Sequence, residues 1–278
     1  MRVWETGEQK EAGGVGARAA MSYARLQDIE EKSTIYPLRI AFSFLASAAG
    51  LSLVAALTYV QAGMAKQTYV AALSTIINAV AAYHYHEMIK VRSNEKVTND
   101  AEWKMGALRH SDWAVTMPLL VLKLYAMMNS PDQDLILQSV DLSALLASVM
   151  VLLGAYVRLG LDEMASTGRP LSTYQRILGP SCYLLSWTIL VLLLIDLCNT
   201  YSSIDNKAIV YTFFLVWPGY GVVACLSALA RSMRKANDYP KNVGLVKDVA
   251  YACLDVFSKA VFAWYTSSDA FGVSVLGS

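Results

Sequence analysis

The chain has few charged residues. Only 16% of its 278 residues are Asp, Glu, Lys or Arg, whereas soluble domains carry about 25%. The 23 basic and 22 acidic residues nearly cancel, so the chain lacks the positive excess that attracts nucleic acid. Low charge and a hydrophobic content of 55% exclude a disordered chain, a nucleic-acid-binding protein and most soluble enzymes, and they predict a membrane protein.

Cysteine and the common ligand spacings are also scarce. The chain has four cysteines in apolar stretches, without CxxC spacing: Cys182, Cys198, Cys225 and Cys253. We expect small buried hydrophobic residues there rather than a disulfide or a metal site. A Ser/His/Asp set and a Gly-rich phosphate loop are lacking as well, and the polar N-terminal stretch lacks the apolar region of a signal peptide.

Long apolar runs, in contrast, are abundant. A membrane-spanning helix needs about 20 mostly apolar residues. Seven such runs occur, at residues 38–62, 68–89, 111–129, 135–157, 177–198, 208–230 and 245–267. The sequence therefore predicts an all-α membrane protein with a seven-transmembrane-helix bundle at 37–267, a polar N-terminal tail at 1–36 and a short C-terminal tail at 268–278.

Of the ionisable residues inside the predicted spans, six are taken as candidates for function. Because charge is costly at membrane depth, each is a functional hypothesis by default. Two of them, Asp141 and Asp196, lie within about two turns of a span end, where we expect solvated boundary positions. The other four lie in the third and seventh spans: Asp112, Lys123, Asp255 and Lys259.

The seventh span places a carboxylate and an amine together. Asp255 and Lys259 are four residues apart and share a helix face. One interpretation is a neutralising ion pair. The other is covalent chemistry with an aldehyde, because desolvation frees a lysine amine to act as a nucleophile. These two residues alone leave both interpretations open.

The third span favours the second interpretation. Asp112 and Thr116 are one turn apart, and Lys123 lies eleven residues beyond Asp112, roughly 16 Å along the axis. An acceptor carboxylate, a hydroxyl relay and an amine towards the opposite water face are typical of a proton path. Arg109 precedes the carboxylate by three residues.

Two motifs resemble those of microbial (type 1) rhodopsins, the seven-helix retinal proteins. The seventh span has D-x-x-x-K at Asp255 and Lys259. The third span has R-x-x-D-W-x-x-T-x-P-L-L, formed by Arg109, Asp112, Trp113, Thr116, Pro118, Leu119 and Leu120. The resemblance is to proteorhodopsin-like proton pumps with an Asp/Thr/Lys third-helix motif, and it implies a retinal in the core of the bundle.

The resemblance also implies roles for these residues. Lys259 would hold all-trans retinal as a protonated Schiff base. Asp112 would be the primary counterion and proton acceptor, Asp255 the second counterion, and Arg109 the charge below them. Two positive and two negative charges would then cancel, which is the tolerable arrangement for buried groups.

His84 and Lys123 would assist the proton path. Proteorhodopsin-like members carry a histidine at the position of His84 that pairs with the counterion; a histidine bonded to a neighbouring group is the alternative. Lys123 stands at the uptake-side donor position, and a lysine reaching the water face is the alternative. The Asp/Thr/Lys triplet argues against chloride pumps and sodium pumps.

The predicted retinal pocket departs from the family pattern. Trp113 and Leu120 stand at their usual places. Phe214 stands where the family usually has tryptophan, and Trp217 where a tyrosine normally precedes the proline. Both residues are aromatic and fit packing against retinal, whereas hydrogen bonding to Asp255 is left in doubt. Asp248 is expected to be a solvated residue at the start of a helix.

The function implied is that of a transporter rather than an enzyme. It is a light-driven proton pump, outward in the usual family orientation, in a bacterial cell membrane, with the lipid bilayer and protons as partners and a homo-oligomer (trimer or pentamer) as its assembly. A photosensory rhodopsin, a light-gated ion channel and a retinal-free seven-helix transporter or receptor are the alternatives. We expect no metal and no nucleic acid.

The distribution of basic residues opposes that orientation. The N-terminal region through Arg39 has six, and the connectors on the same side have five, three and five, whereas the opposite connectors have only Lys66 and Lys207. The positive-inside rule would place the N-terminus in the cytoplasm, but the family places it outside. We retain the family orientation; the reverse insertion would move protons inward.

Overall fold

The computed structural model confirms an all-helical bundle. It describes residues 8–94, 99–128, 146–147, 149–154, 173–200, 215–226 and 241–271. Seven helical segments lie in these residues. They are α1 (Glu8–Gln61), α2 (Ala65–Asn94), α3 (Asn99–Met128), α4 (within 146–154), α5 (Thr173–Thr200), α6 (Leu215–Leu226) and α7 (Lys241–Ser267).

Helix α7 changes its winding in the middle. It is α-helical over Lys241–Asp255, widens to a π-helix over Val256–Val261 and returns to α-helix over Phe262–Ser267, before a short 3₁₀ turn at Ser268–Phe271. π-helical turns are rare and occur frequently at functional sites. Lys259, the predicted attachment residue, lies in the π-helical turn.

Helix α1 begins at Glu8, so most of the stretch predicted as a tail is helical and continuous with the first span. The division into tail, bundle and C-terminal tail stays a prediction. The helix ends where Gly63 adopts a positive φ of 72°. The amide of Met64 then donates to the carbonyl of Tyr59 at 2.9 Å, the usual way in which a glycine closes a helix. The turn leads directly into α2.

Small residues bring the helices close together. Helix α1 packs against α2 and α7, and α2 packs against α3. The buried positions of α1 and α2 are rich in alanine: Ala41, Ala48, Ala55, Ala71, Ala81 and Ala82. Small interface residues are typical of membrane helices, whose association depends on close packing.

The outward-facing surface of α1 is apolar. Leu53, Val54, Leu57 and Val60 are each half exposed or more, which suits contact with lipid. By length and composition, the Ile35–Gln61 part of α1 can cross a membrane, with a mean hydropathy of 2.1, and Leu184–Leu193 and Leu215–Leu226 are shorter apolar helices.

The cysteines differ from the expectation of burial. Cys225 and Cys253 are exposed and Cys182 is partly exposed, so the prediction of buried cysteines is wrong for these three. Their spans are apolar on all sides, and sequence hydrophobicity therefore did not distinguish the lipid face from the core. The side chain of Cys198 lies outside the described residues.

Two buried apolar clusters position the central charged residues. One cluster joins α1, α2, α3 and α7 and includes Leu38, Tyr85, Met105 and Ala260. The other cluster has members on each helix from α2 through α7 and includes Leu120, Met150, Ile189, Trp217 and Phe262. Lys259 is adjacent in sequence to Ala260 of the first cluster and one helical turn from Phe262 of the second, so its side chain lies in the interior of the bundle.

Candidate functional site

The amine of Lys259 lies between two carboxylates. The lysine is 1% exposed. Its Nζ donates to Oδ2 of Asp112 at 2.5 Å and lies 2.9 Å from Oδ1 of Asp255. The structure thus brings together the three residues that the two sequence motifs singled out, one from α3 and two from α7.

Asp255 accepts two further hydrogen bonds from tyrosines. The hydroxyl of Tyr85 on α2 donates to Oδ2 at 2.7 Å. The hydroxyl of Tyr220 on α6 donates to Oδ1 at 2.8 Å and lies 2.9 Å from the Ser258 hydroxyl. With Lys259, three donors converge on the Asp255 carboxylate.

Neither tyrosine was predicted from the sequence. Tyr85 follows His84 directly, and Tyr220 lies three residues after Trp217. A search for hydroxyl donors one turn beyond the expected tyrosine position would have found Tyr220, because residues three apart share a helix face. The doubt about hydrogen bonding to Asp255 is thereby answered: Tyr220 provides the bond.

Asp112 has far less support than Asp255. Its Oδ2 accepts the hydrogen bond from Lys259. Its buried Oδ1 has no hydrogen-bond partner among the described residues. Hydrogen bonds to the charged form of a carboxylate stabilise that form, so Asp255 is the better stabilised anion. Of the two, Asp112 is therefore the one that takes up a proton at the lower cost.

Thr116 and Lys123 follow Asp112 along α3, and both are buried. The hydroxyl of Thr116 donates to the backbone carbonyl of Asp112 at 2.9 Å. Lys123 is 1% exposed, and its Nζ lies 4.0 Å from the ring centre of Phe262. The lysine thus stays inside the bundle rather than reaching for the water face.

His84 is partly buried on α2. Its Nδ1 lies 2.9 Å from the carbonyl oxygen of Val80, and its ring meets Tyr83 edge-on at 5.4 Å. The bond to a backbone neighbour is the alternative considered from the sequence, and the pairing of His84 with the counterion stays a prediction. His86 is exposed.

Aromatic side chains form a wall beside the central charges. Trp113 is edge-on to Tyr220 at 5.0 Å and to Tyr251 at 5.3 Å. Trp217 and Leu120 are each 1% exposed and belong to one apolar cluster. Three of the four predicted pocket residues thus line or adjoin the same apolar interior. Phe214 lies outside the described residues.

A second set of charges occupies the end of the bundle where α2 ends and α3 and α7 begin. Asp248 is fully buried there. Its Oδ1 accepts from Arg109 at 2.5 Å and its Oδ2 accepts from Arg92 at 2.7 Å. The expectation that Asp248 is a solvated helix-start residue is therefore wrong, because two arginines from neighbouring helices enclose it.

Glu102 joins the same set. It accepts hydrogen bonds from Arg92 and from Lys247. Burial alone would raise the pKa of Glu102, but the charges of Lys247 and Arg92 lower it to about 2. Glu102 precedes the third predicted span, so it lies at the membrane boundary. We call Arg92, Glu102, Arg109, Lys247 and Asp248 the boundary network.

The charge balance differs from the one expected from the sequence. We expected Arg109 to offset the two central carboxylates, but its hydrogen bond goes to Asp248. The site of Lys259, Asp112 and Asp255 is left with a formal charge of −1. The boundary network has three cations and two carboxylates, a formal charge of +1. Neutrality is therefore reached by the two sets together.

In the comparison with solved structures, the chain has the fold of rhodopsins. The structure resembles Exiguobacterium sibiricum rhodopsin, with a TM-score of 0.63, 16% identity, and coverage of 87% of this chain and 98% of that chain. It also resembles xanthorhodopsin, described as a light-driven ion pump with dual chromophore, with a TM-score of 0.63 and 17% identity, covering 87% of this chain and 94% of that chain. The viral rhodopsin OLPVRII is similar with a TM-score of 0.62 and 18% identity, covering 87% of this chain and 99% of that chain.

The sequence comparison agrees with the structural one. No curated protein matches the chain, but residues 37–268 match the sequence model of the family described as Bacteriorhodopsin-like protein. The match covers most of the chain, including every residue of the central site and of the boundary network. The chain belongs to the bacteriorhodopsin-like family and is a microbial rhodopsin by fold.

Proposed function

We propose that this protein binds retinal through the amine of Lys259. The amine is buried, and it adjoins an apolar interior lined by Trp113, Leu120 and Trp217. A lysine joined to an aldehyde keeps a single N–H, and Asp112 Oδ2 lies 2.5 Å from that nitrogen. The residues present therefore fit a covalently bound aldehyde whose linked nitrogen is charged.

We further propose that the protein is a light-driven proton pump. Bound retinal supplies light absorption and a change of shape that alters the position and proton affinity of the nitrogen. The contact between Lys259 Nζ and Asp112 Oδ2 is the observation that supports proton transfer, because donor and acceptor are already at hydrogen-bond distance. Asp255, with its three donors, remains the permanent anion.

Thr116 and Lys123 are proposed to serve the uptake side. Lys123 lies three turns beyond Asp112 on α3 and is buried against Phe262. A buried ammonium is costly, so the amine rests more easily without its proton and can take one when water enters. His84 is proposed to assist the Asp112 carboxylate from the adjacent helix α2.

The setting proposed is a bacterial cell membrane, with the N-terminus outside and protons moved outward. We propose a homo-oligomer, a trimer or a pentamer, as the assembly. The protein is then a transporter rather than an enzyme.

The colour of the protein tests the cofactor. Adding all-trans retinal to the purified chain is expected to produce a visible absorption band. The K259A variant should give no band, while K123A, which removes another buried lysine, should keep one. A band in K259A, or no band in the unmodified chain, would overturn the assignment of Lys259.

Illumination of cells or liposomes of known orientation tests the pump. The expected result is a pH change that an uncoupler abolishes and that D112N lacks. A coloured protein with a photocycle of seconds and no net transport would instead identify a sensor, and passive photocurrents that reverse with voltage would identify a channel.

A further inference from the structure

A pocket opens between α2 and α3 near the end of the bundle that carries the boundary network. Its volume is about 370 Å³, within the range of sites that hold small ligands. The residues that form its wall include Glu87, Lys90, Val91, Trp103, Lys104 and Leu108. We call it the α2–α3 pocket. The side chain of Lys90 is 52% exposed, so the pocket lies on the outside of the bundle.

The α2–α3 pocket lies at the level where the helices leave the apolar layer. The second predicted span ends at residue 89 and the third begins at residue 111. Lys90 and Lys104 therefore lie on the water side of that layer. Leu108 lies one turn beyond Lys104 on α3, closer to the membrane interior. The headgroups of lipids occupy this level.

The wall of the pocket has an excess of positive charge. Lys90 and Lys104 contribute two positive charges and Glu87 one negative charge, so the formal charge of the wall is +1. The Nζ of Lys90 lies 2.7 Å from Oε1 of Glu87. An exposed ion pair of this kind is weak, so an entering phosphate can compete with Glu87 for Lys90.

The remainder of the wall is apolar and aromatic. Val91 and Leu108 pack against the buried cluster of α1, α2, α3 and α7 and are themselves partly exposed. Trp103 is partly exposed as well, and its indole nitrogen has no hydrogen-bond partner among the described residues. Tryptophan is enriched where a membrane meets water, because it has an apolar ring and one polar N–H group. The pocket thus combines cations, a hydrogen-bond donor and an apolar surface.

We propose that the α2–α3 pocket binds one anionic phospholipid of the surrounding bilayer, with its phosphate at the two lysines and the upper part of an acyl chain against Val91 and Leu108. Basic pockets between membrane helices bind phospholipid headgroups in this way, and lysine binds phosphate as a point charge. A free phosphate would leave the apolar wall uncovered, whereas an amphiphile covers both parts. The site is separate from that of Lys259, so the chain is expected to bind the lipid with or without retinal.

Native mass spectrometry of the full chain, released from uncharged detergent micelles, measures the bound lipid directly. Phosphatidylglycerol, which has one negative charge, and phosphatidylcholine, which is zwitterionic, are added in equal amounts. The unmodified chain is expected to bind one phosphatidylglycerol about fivefold more tightly than phosphatidylcholine, the scale for one charge near a membrane surface. Equal affinities for the two lipids would overturn the proposal.

Two variants change the charge of the pocket in opposite directions. K104Q lowers the wall charge to zero and should weaken phosphatidylglycerol binding about fivefold, whereas E87Q raises it to +2 and should strengthen binding by about as much. Neither should alter the affinity for phosphatidylcholine. K66Q, which removes an exposed lysine at the opposite end of α2, is the matched control and should change neither affinity. Equal phosphatidylglycerol affinities in K104Q and E87Q, or an equal loss in K66Q and K104Q, would contradict the site.

A competition experiment identifies the source of the phosphate. Glycerol 3-phosphate has the phosphate group without acyl chains, and at the concentration at which phosphatidylglycerol saturates the pocket it should not displace the lipid. Displacement would assign the pocket to free phosphate compounds and overturn the assignment to lipid. Oligomers that carry no phosphatidylglycerol and that dissociate in K104Q would assign it to a contact between copies of the chain, and would overturn the proposal as well.

Discussion

The hydroxyl of Tyr220 on α6 donates to Oδ1 of Asp255 on α7 at 2.8 Å. Together with the bond from Tyr85, it makes Asp255 a buried anion well supported by hydrogen bonds. Asp112, whose Oδ1 is without a partner among the described residues, has no such support. The two carboxylates around Lys259 are thus unequal in hydrogen bonding, and it is on this difference that the roles of permanent counterion and proton acceptor are proposed.

Replacing Tyr220 by phenylalanine removes one of the three donors to Asp255. Hydrogen bonds to charged groups contribute about 1.5–3 kcal/mol, so Y220F should lower the stability of the folded protein by about that amount. Unfolding in mixed micelles measures it. Y83F is the control, because Tyr83 is exposed on α2, and it should change stability by no more than about 0.5 kcal/mol. Equal stabilities for Y220F and Y83F would contradict the support assigned to Tyr220.

Replacing Lys123 by leucine should slow the return of the photocycle without removing colour. The lysine is buried against Phe262, on the side of Asp112 that faces away from the boundary network. Flash photolysis is expected to show normal early steps and a recovery at least about tenfold slower, the usual scale for loss of a proton-transfer group. K66Q changes an exposed lysine and should leave recovery unaltered. Normal recovery in K123L would exclude a role in uptake.

The boundary network should stabilise the protein in a defined pH range. The folded pKa of Glu102 is lowered to about 2, against an ordinary value of 4.5. A lowered folded pKa means that the stabilisation is complete above about pH 5 and is lost as the pH falls towards 2, at most about 3 kcal/mol.

Thermal unfolding between pH 7 and pH 2 measures that loss. The melting temperature of E102Q should be lower than that of the unmodified chain at pH 7, and the difference should narrow as the pH falls. E87Q breaks an exposed pair with Lys90 and is expected to follow the unmodified chain at every pH. A constant difference between E102Q and the unmodified chain would contradict the ion-pair account.

Substitution of Gly221 by alanine should disrupt the contact between α5 and α6. A Cβ atom at this position would overlap the Trp187 ring, and a bulky ring can only be displaced at the expense of its packing. We expect a loss of about 1–3 kcal/mol in the free energy of unfolding. At Gly50 an added Cβ meets nothing within 4 Å, so G50A should be neutral or slightly stabilising.

The sequence was sufficient to predict the seven helices and the three central residues. Apolar runs of bilayer length identify helices regardless of how these pack. The four-residue separation of Asp255 and Lys259 indicated that their side chains meet on one helix, and the third-helix motif indicated Asp112 as their partner. Each of these inferences depends on local order along the chain, which the sequence contains.

The contacts between distant helices were not predictable in the same way. Tyr220 reaches Asp255, and Arg92 reaches Asp248, only because of the rotation of each helix about its axis. That rotation is determined by packing of small and large side chains across several helices. The same limitation led to the wrong prediction for Asp248, since a charged residue near a helix start is solvated unless neighbouring helices enclose it.

The most direct test of the central claim is infrared difference spectroscopy of the retinal-loaded protein under illumination. Proton transfer to Asp112 would produce the C=O stretching band of a protonated carboxyl group. The account predicts this band in the unmodified protein and in Y85F, and its absence in D112N. A band that persists in D112N, or no such band in the unmodified protein, would contradict it.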